Sequence, residues 1–321
     1  MRALRFKSNR LELVETKTPE VSEREALIKV ILAGICATDL EITQGYIAFE
    51  GTLGHEFVGV VEECADMPEL VGRRVVGEIN AGCGWCDWCR RGLARHCPQR
   101  TVLGISGLDG AFADYLVLPA WNLHPVPDEV DDRRAVFAEP LAAAMEILEQ
   151  VHIPPGAPVL LVGDGRLAQL IVRVLARAGC LVEAVGRSER KIRRMRGYAH
   201  KGYLNAPPPD VKYPFVVEAS GSPRGWRSAV NAVEPRGTVI LKSTYAGRTE
   251  FNPAPLVVDE ITVVGSRCGR FAPALKALAG GLEVSDLIDA EFPLTQWKEA
   301  MNRAREPETL KVLLEIAEPT G

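Results

Sequence analysis

The chain has 321 residues, 47% hydrophobic and 25% charged, the balance of an ordinary globular protein with enough apolar mass for two domains. A net charge of −4 leaves no basic excess to meet phosphates and argues against a nucleic-acid binder. No apolar run approaches the roughly 18 residues of a membrane span, and the first ten residues lack the apolar stretch of a secretory signal. The eight cysteines are therefore expected in a reducing, cytoplasmic setting, where clustered thiols more often hold metal than form disulfides.

Over residues 1–150, short strands alternate with turns. Residues 27–31, 54–61 and 74–76 read as strands, and 57–61 (FVGVV) is apolar throughout, as buried strands are. Frequent Gly and Pro punctuate this zone and predict a β-rich, barrel-like domain. The pattern changes over 151–282. Residues 159–162 form an apolar strand that ends at Gly163, and Leu167, Leu170, Ile171, Val174, Leu175 and Ala178 then recur at helical spacing. Strands at 182–185, 215–217 and 238–241 alternate with helices, one of them the basic run 187–196, which by itself reads as a solvated face. This alternation predicts a doubly wound α/β domain with a parallel sheet. The last stretch, 283–321, holds a helix over 294–305 and a strand over 310–316, and is expected to return to the first domain.

Cys83, Cys86, Cys89 and Cys97 follow the spacing C-x2-C-x2-C-x7-C. Four thiolates this close suit tetrahedral Zn²⁺; with no open position, the ion would stabilise a lobe and take no part in turnover. An iron–sulfur cluster and four unrelated buried cysteines are the other readings. Bacterial ferredoxins share C-x2-C-x2-C but place the next cysteine after three intervening residues, before a proline; here seven intervene, although Pro98 follows it. A second set is dispersed: Cys36 in GICATDLEI, His55 and Glu56 in GTLGHEFVGVV, Glu139 in FAEPLAAA. A thiolate, an imidazole and a carboxylate can hold zinc with one position left for a substrate oxygen, although each residue singly is equally a core residue.

Residues 163–168 (GDGRLA) form G-x-G-x-x-A between a predicted strand and a predicted helix. Gly163 permits the tight turn, Gly165 lets backbone approach a pyrophosphate, and Arg166 and Leu167 open the helix whose N–H groups face it. The next strand ends at Gly186, where an NAD-binding chain carries an acid; Glu183 comes about three residues too early. Arg187, Ser188, Arg190 and Lys191 follow and suit a 2′-phosphate, so NADP is favoured over NAD.

Taken in order, GICATDL, GHEFVGVV, the four-cysteine loop, AEPL and the glycine turn resemble the zinc-containing medium-chain dehydrogenases/reductases, which include alcohol, sorbitol and threonine dehydrogenases. The resemblance covers nearly the whole chain. It implies a GroES-like catalytic domain with a structural zinc lobe, and a Rossmann domain for the dinucleotide. It implies a catalytic zinc on Cys36, His55 and Glu139, with Glu56 the carboxylate that approaches or replaces a ligand. Thr38 resembles the hydroxyl that shuttles the substrate proton, and Asp39 the carboxylate that orients the imidazole. A glutamate as third ligand is similar to the polyol, threonine and secondary-alcohol branches. Ala219 and Ser220 resemble the turn beside the adenosine, residues 241–243 and Ser266 segments near the nicotinamide, and Lys311 a basic residue at the cofactor phosphates. The implied activity is hydride transfer between NAD(P) and an alcohol, polyol or sugar hydroxyl, or the matching carbonyl, in a homodimer or homotetramer. A zinc-free quinone or enoyl-type reductase lacks both metal motifs, and a non-catalytic dinucleotide binder has no need of Cys36, Thr38, His55 and Glu139. The chain departs from the family in two places. The stretch from His200 to Phe215 is too short for the usual extra strand–helix unit, and that from Asp39 to His55 is trimmed, which opens room for larger substrates.

Overall fold

The computed structural model describes residues 1–244 and 252–317. Two compact units emerge, one formed by Met1–Glu139 with Arg270–Gly321 and the other by Pro140–Gly269. Both boundaries fall earlier in the chain than the expected breaks at 150 and 282. The first lies near the start of the helix Ala138–Gln150, one continuous element within which composition marks no break. The second precedes the helix Phe271–Ala279, which belongs to the first unit because it packs on the short helix Asp132–Ala135 and the Arg134 guanidinium donates to its Leu278 carbonyl.

The first unit is built on a seven-stranded sheet. Its strands run in the order Leu123–Pro125, Arg74–Gly77, Glu56–Cys64, Glu25–Gly34, Lys311–Glu315 and Ile288–Pro293, and Tyr115–Pro119 also pairs with Glu25–Gly34. Glu25–Gly34 organises the sheet. It lies antiparallel to Glu56–Cys64 along one edge, while its other edge is shared by Tyr115–Pro119 and Lys311–Glu315. Ala26, Ile28, Val30 and Ala33 are fully buried, and each fully buried branched aliphatic contributes about 1.5–3 kcal/mol. The chain's late return is therefore a strand in mid-sheet, as 310–316 promises. The N-terminal hairpin Arg2–Lys7/Arg10–Glu15 turns through Ser8 and Asn9, both at positive φ (50° and 60°), the geometry that matches strand twist.

The second unit holds a six-stranded, wholly parallel sheet in the order Lys201–Leu204, Leu181–Gly186, Pro158–Val162, Tyr213–Glu218, Val233–Leu241 and Thr262–Gly265. Numbered along the unit this is 3-2-1-4-5-6, the Rossmann order, with its switch point beside Pro158–Val162. The expected loss of a strand–helix unit is half right. The strand Lys201–Leu204 is present; only the crossover helix is missing, and residues 205–212 alone carry the chain past two strands, about 14 Å sideways. Glu183 ties the joint, accepting from Tyr203 Oη at 2.8 Å and Tyr213 Oη at 2.5 Å, with Lys201 Nζ 3.3 Å away. Among the described residues, no helix is long and apolar enough to cross a membrane.

Candidate active site

The strand Glu25–Gly34 runs into Cys36, which caps the short helix Ala37–Ile42; the strand Glu56–Cys64 begins directly after His55. Because these two strands pair, with Gly34 opposite Glu56, residues about twenty apart in sequence meet at one sheet end. One ligand atom each from Cys36, His55 and Glu56 lies within 4.8 Å of the others. Gly34 makes this possible: a Cβ there would stand 2.4 Å from Glu56 Oε2. Glu139, at the start of its helix and half-buried, is not part of this group.

Asp39 is fully buried and holds the site together. Its Oδ2 accepts from the Cys36 N–H at 2.8 Å and its Oδ1 from the Gly54 N–H at 3.2 Å. His55 Nδ1 lies 3.3 Å from Asp39 Oδ1, but the alignment falls short of a hydrogen bond and leaves this buried nitrogen without a partner. Burial opposes a charged imidazole, yet the Asp39 carboxylate and the Cys36 sulfur outweigh it and hold His55 well above 6.5. Soft and borderline donors around an electron-rich pocket suit a cation such as Zn²⁺. Thr38 Oγ1 stands 3.8 Å from Cys36 Sγ.

Lys311 departs from the sequence expectation. Its ammonium is buried in the first unit, in an ion pair with Glu56 Oε2 and over the Phe137 ring, and so is engaged there instead of standing free for cofactor phosphates. Its strand lies beside Glu25–Gly34, and a buried Glu56 demands a counter-charge.

The four cysteines converge. The sulfurs of Cys83 and Cys89 are 3.9 Å apart, Cys86 and Cys89 3.6 Å, and Cys86 and Cys97 3.7 Å. A tetrahedron of sulfurs about 2.3 Å from a central zinc has edges of about 3.8 Å, so the spacing fits that ion and is far too long for a disulfide. The Cys83 and Gln99 backbone N–H groups lower the Cys97 thiol to about 7, while burial and the neighbouring thiols push Cys89 up to about 12.

In the second unit the strand Pro158–Val162 ends at Gly163, whose φ of 134° and 2.5 Å approach of a would-be Cβ to the Ala219 carbonyl exclude any side chain. Gly165 caps the helix Arg166–Arg177 and has open space where a Cβ would be, room for a pyrophosphate at a twelve-residue helix start. Leu167 follows in the first turn. The turn after Tyr213–Glu218 is pinned by buried Glu218, whose Oε1 accepts from Ser220 N at 2.9 Å and Ser220 Oγ at 2.6 Å. Ser266 Oγ accepts from buried Lys242 Nζ at 3.1 Å, which also donates to the carbonyls of Ala143 and Arg267. Arg187 and Arg190 are exposed beyond Gly186, and Ser188 caps the short helix that carries Lys191. Sequence reasoning placed Glu218 and Lys242 only as members of cofactor-side segments, and gave no role to Gly34 or to Asp164, whose Oδ2 accepts from the Arg187 and Ser188 N–H groups, both at 2.7 Å. Nothing in the pattern gave Gly34 or Asp164 a role, since each matters through a partner about twenty residues away.

Residues 22–128 match the alcohol dehydrogenase GroES-like domain. The sorbitol dehydrogenase of Halalkalibacterium halodurans is 29% identical, over 94% of this chain and 94% of its own. Two solved structures superpose over nearly the whole length. A putative zinc-binding dehydrogenase from Sinorhizobium meliloti bound to NADP has a TM-score of 0.90 at 25% identity, covering 98% of this chain and 99% of its own. An alcohol dehydrogenase from Escherichia coli complexed with cofactor NADH has a TM-score of 0.91 at 26% identity, with the same coverage. A GroES-like unit joined to a Rossmann unit defines the class, an oxidoreductase of the alcohol dehydrogenase type. Along nearly its whole length the chain is similar to zinc-type medium-chain dehydrogenases/reductases.

Proposed function

We propose that the chain oxidises a polyol or secondary alcohol, or reduces the matching carbonyl, at a zinc ion held by Cys36, His55 and a carboxylate, using NAD(P). The observation that carries this is the convergence of Cys36, His55 and Glu56 around buried Asp39. When bound, zinc supplies Lewis acidity toward a substrate oxygen, and the dinucleotide accepts or gives the hydride. The residues do the remainder. The Asp39 carboxylate, 3.3 Å from Nδ1, faces the imidazole from the side away from the metal, and Nε2 would be the atom that binds it. Thr38, beside Cys36, carries the substrate hydroxyl proton away from the site. The grouping favours Glu56 as the carboxylate ligand; Glu139 is the one the family resemblance implies. Cys83, Cys86, Cys89 and Cys97 would hold a second, structural zinc. The glycine turn 163–168 would hold the dinucleotide's pyrophosphate, with Ala219, Ser220 and Ser266 as further binding residues. The relative named for sorbitol supports a polyol. A cytoplasmic location suits the free cysteines, and a homodimer or homotetramer is the expected assembly.

Metal analysis tests the reading. We expect about two zinc ions per chain, falling to about one in Cys36→Ala, with the fold kept and polyol oxidation abolished. Glu56→Gln and Glu139→Gln, compared for zinc content, identify the carboxylate ligand. Full activity in Cys36→Ala would refute the proposal.

A further inference from the structure

The second strand of the parallel sheet ends in glycine, yet the space of a side chain there is filled. A Cβ on Gly186 would lie 2.5 Å from both Cβ and Oδ2 of Asp164, the middle residue of the glycine turn. Asp164 reaches across and accepts two hydrogen bonds at Oδ2, from the backbone N–H groups of Arg187 and Ser188. Its Oδ1 makes no hydrogen bond among the described residues. A carboxylate thus stands where a strand-end acid would project, delivered from the loop instead.

We propose that Asp164 is the residue that selects the dinucleotide, and that it selects NAD over NADP. The inference rests on the reading of this unit as a dinucleotide site and names the residue that discriminates. In Rossmann units the ribose 2′-hydroxyl donates to an acid at this place, and a 2′-phosphate takes its place in NADP. Asp164 Oδ1 is the acceptor for the hydroxyl. A 2′-phosphate would meet the Asp164 charge at close range and find the two nearest backbone donors already engaged. Against this stand Arg187, Arg190 and Lys191, the basis of the NADP expectation. The arginines are exposed, where water and salt screen them, while the carboxylate is fixed by two N–H groups. The fixed charge prevails.

Titration of the purified protein with NADH and with NADPH, followed by nicotinamide fluorescence, tests this without substrate. The wild type should bind NADH at least about tenfold more tightly, and Asp164→Asn should shrink or invert that ratio by a similar factor. A second variant guards against a folding defect: Gly186→Asp alone collides with Asp164, whereas Asp164→Gly combined with Gly186→Asp moves the carboxylate to the strand and should restore NADH preference. A wild type that binds NADPH as well as NADH, or a ratio unmoved in Asp164→Asn, overturns the inference. A protein that binds neither overturns the dinucleotide reading itself.

Discussion

Glu56 and Lys311 form a pair whose worth lies in mutual neutralisation. Both are almost wholly buried. In the zinc-free protein, replacing Lys311 by Met would leave the Glu56 carboxylate uncompensated, at a cost of about 3–5 kcal/mol. Urea unfolding should show a loss of that size in Lys311→Met and a much smaller one in the double variant with Glu56→Gln. Equal losses in the two would mean that Lys311 acts through packing on Phe137 alone. Glu56 and Lys311 are separated by most of the chain, so a sequence pattern has no means of pairing them; the motif GHEF shows the glutamate, but its counter-charge emerges only when the C-terminal strand enters the sheet.

At the scale of elements, the crossover without a helix has a consequence. Residues 205–212 cover little of the sheet, and Glu183 takes over the task of joining strands two, three and four through Tyr203, Tyr213 and Lys201. Burial pushes the Glu183 carboxyl up, but those hydrogen bonds and the Lys201 charge outweigh it and hold it below 4.5. A folded-state pKa below the unfolded one means that the contribution is present above about pH 4.5 and is lost as pH falls through the lower, folded value. Thermal melts from pH 7 to pH 3 should therefore show the wild type losing stability below pH 4.5 more steeply than Glu183→Gln. Parallel curves would show that Glu183 carries no such linkage. The strand periodicity was legible here, while the role of Glu183 was not, because tyrosines on two other strands define it.

For the molecule as a whole, the parallel sheet ends in an exposed strand, Thr262–Gly265, with exposed Val257 and Val258 just before it. An edge strand with unpaired N–H and C=O groups is a template for another copy. Light scattering coupled to size exclusion should give a mass of two or four chains, and Val263→Lys should shift it toward one. A wild-type monomer at micromolar concentration would exclude this edge as an interface.

The sequence by itself determined the two classes of unit, the parallel order implied by alternating strands and helices, the glycine turn and the four-cysteine lobe. All are local: periodicity, close-set ligands and turn glycines act over a few residues, and their physics is readable where they stand. Tertiary structure alone decided that Glu56 and not Glu139 stands with Cys36 and His55, that Lys311 answers Glu56, that Phe271–Ala279 joins the first unit, and that Asp164 stands over Gly186. Those facts depend on strand pairing and on electrostatics between remote segments, and charges separated along a chain acquire a distance, and hence an energy, only once the backbone is folded.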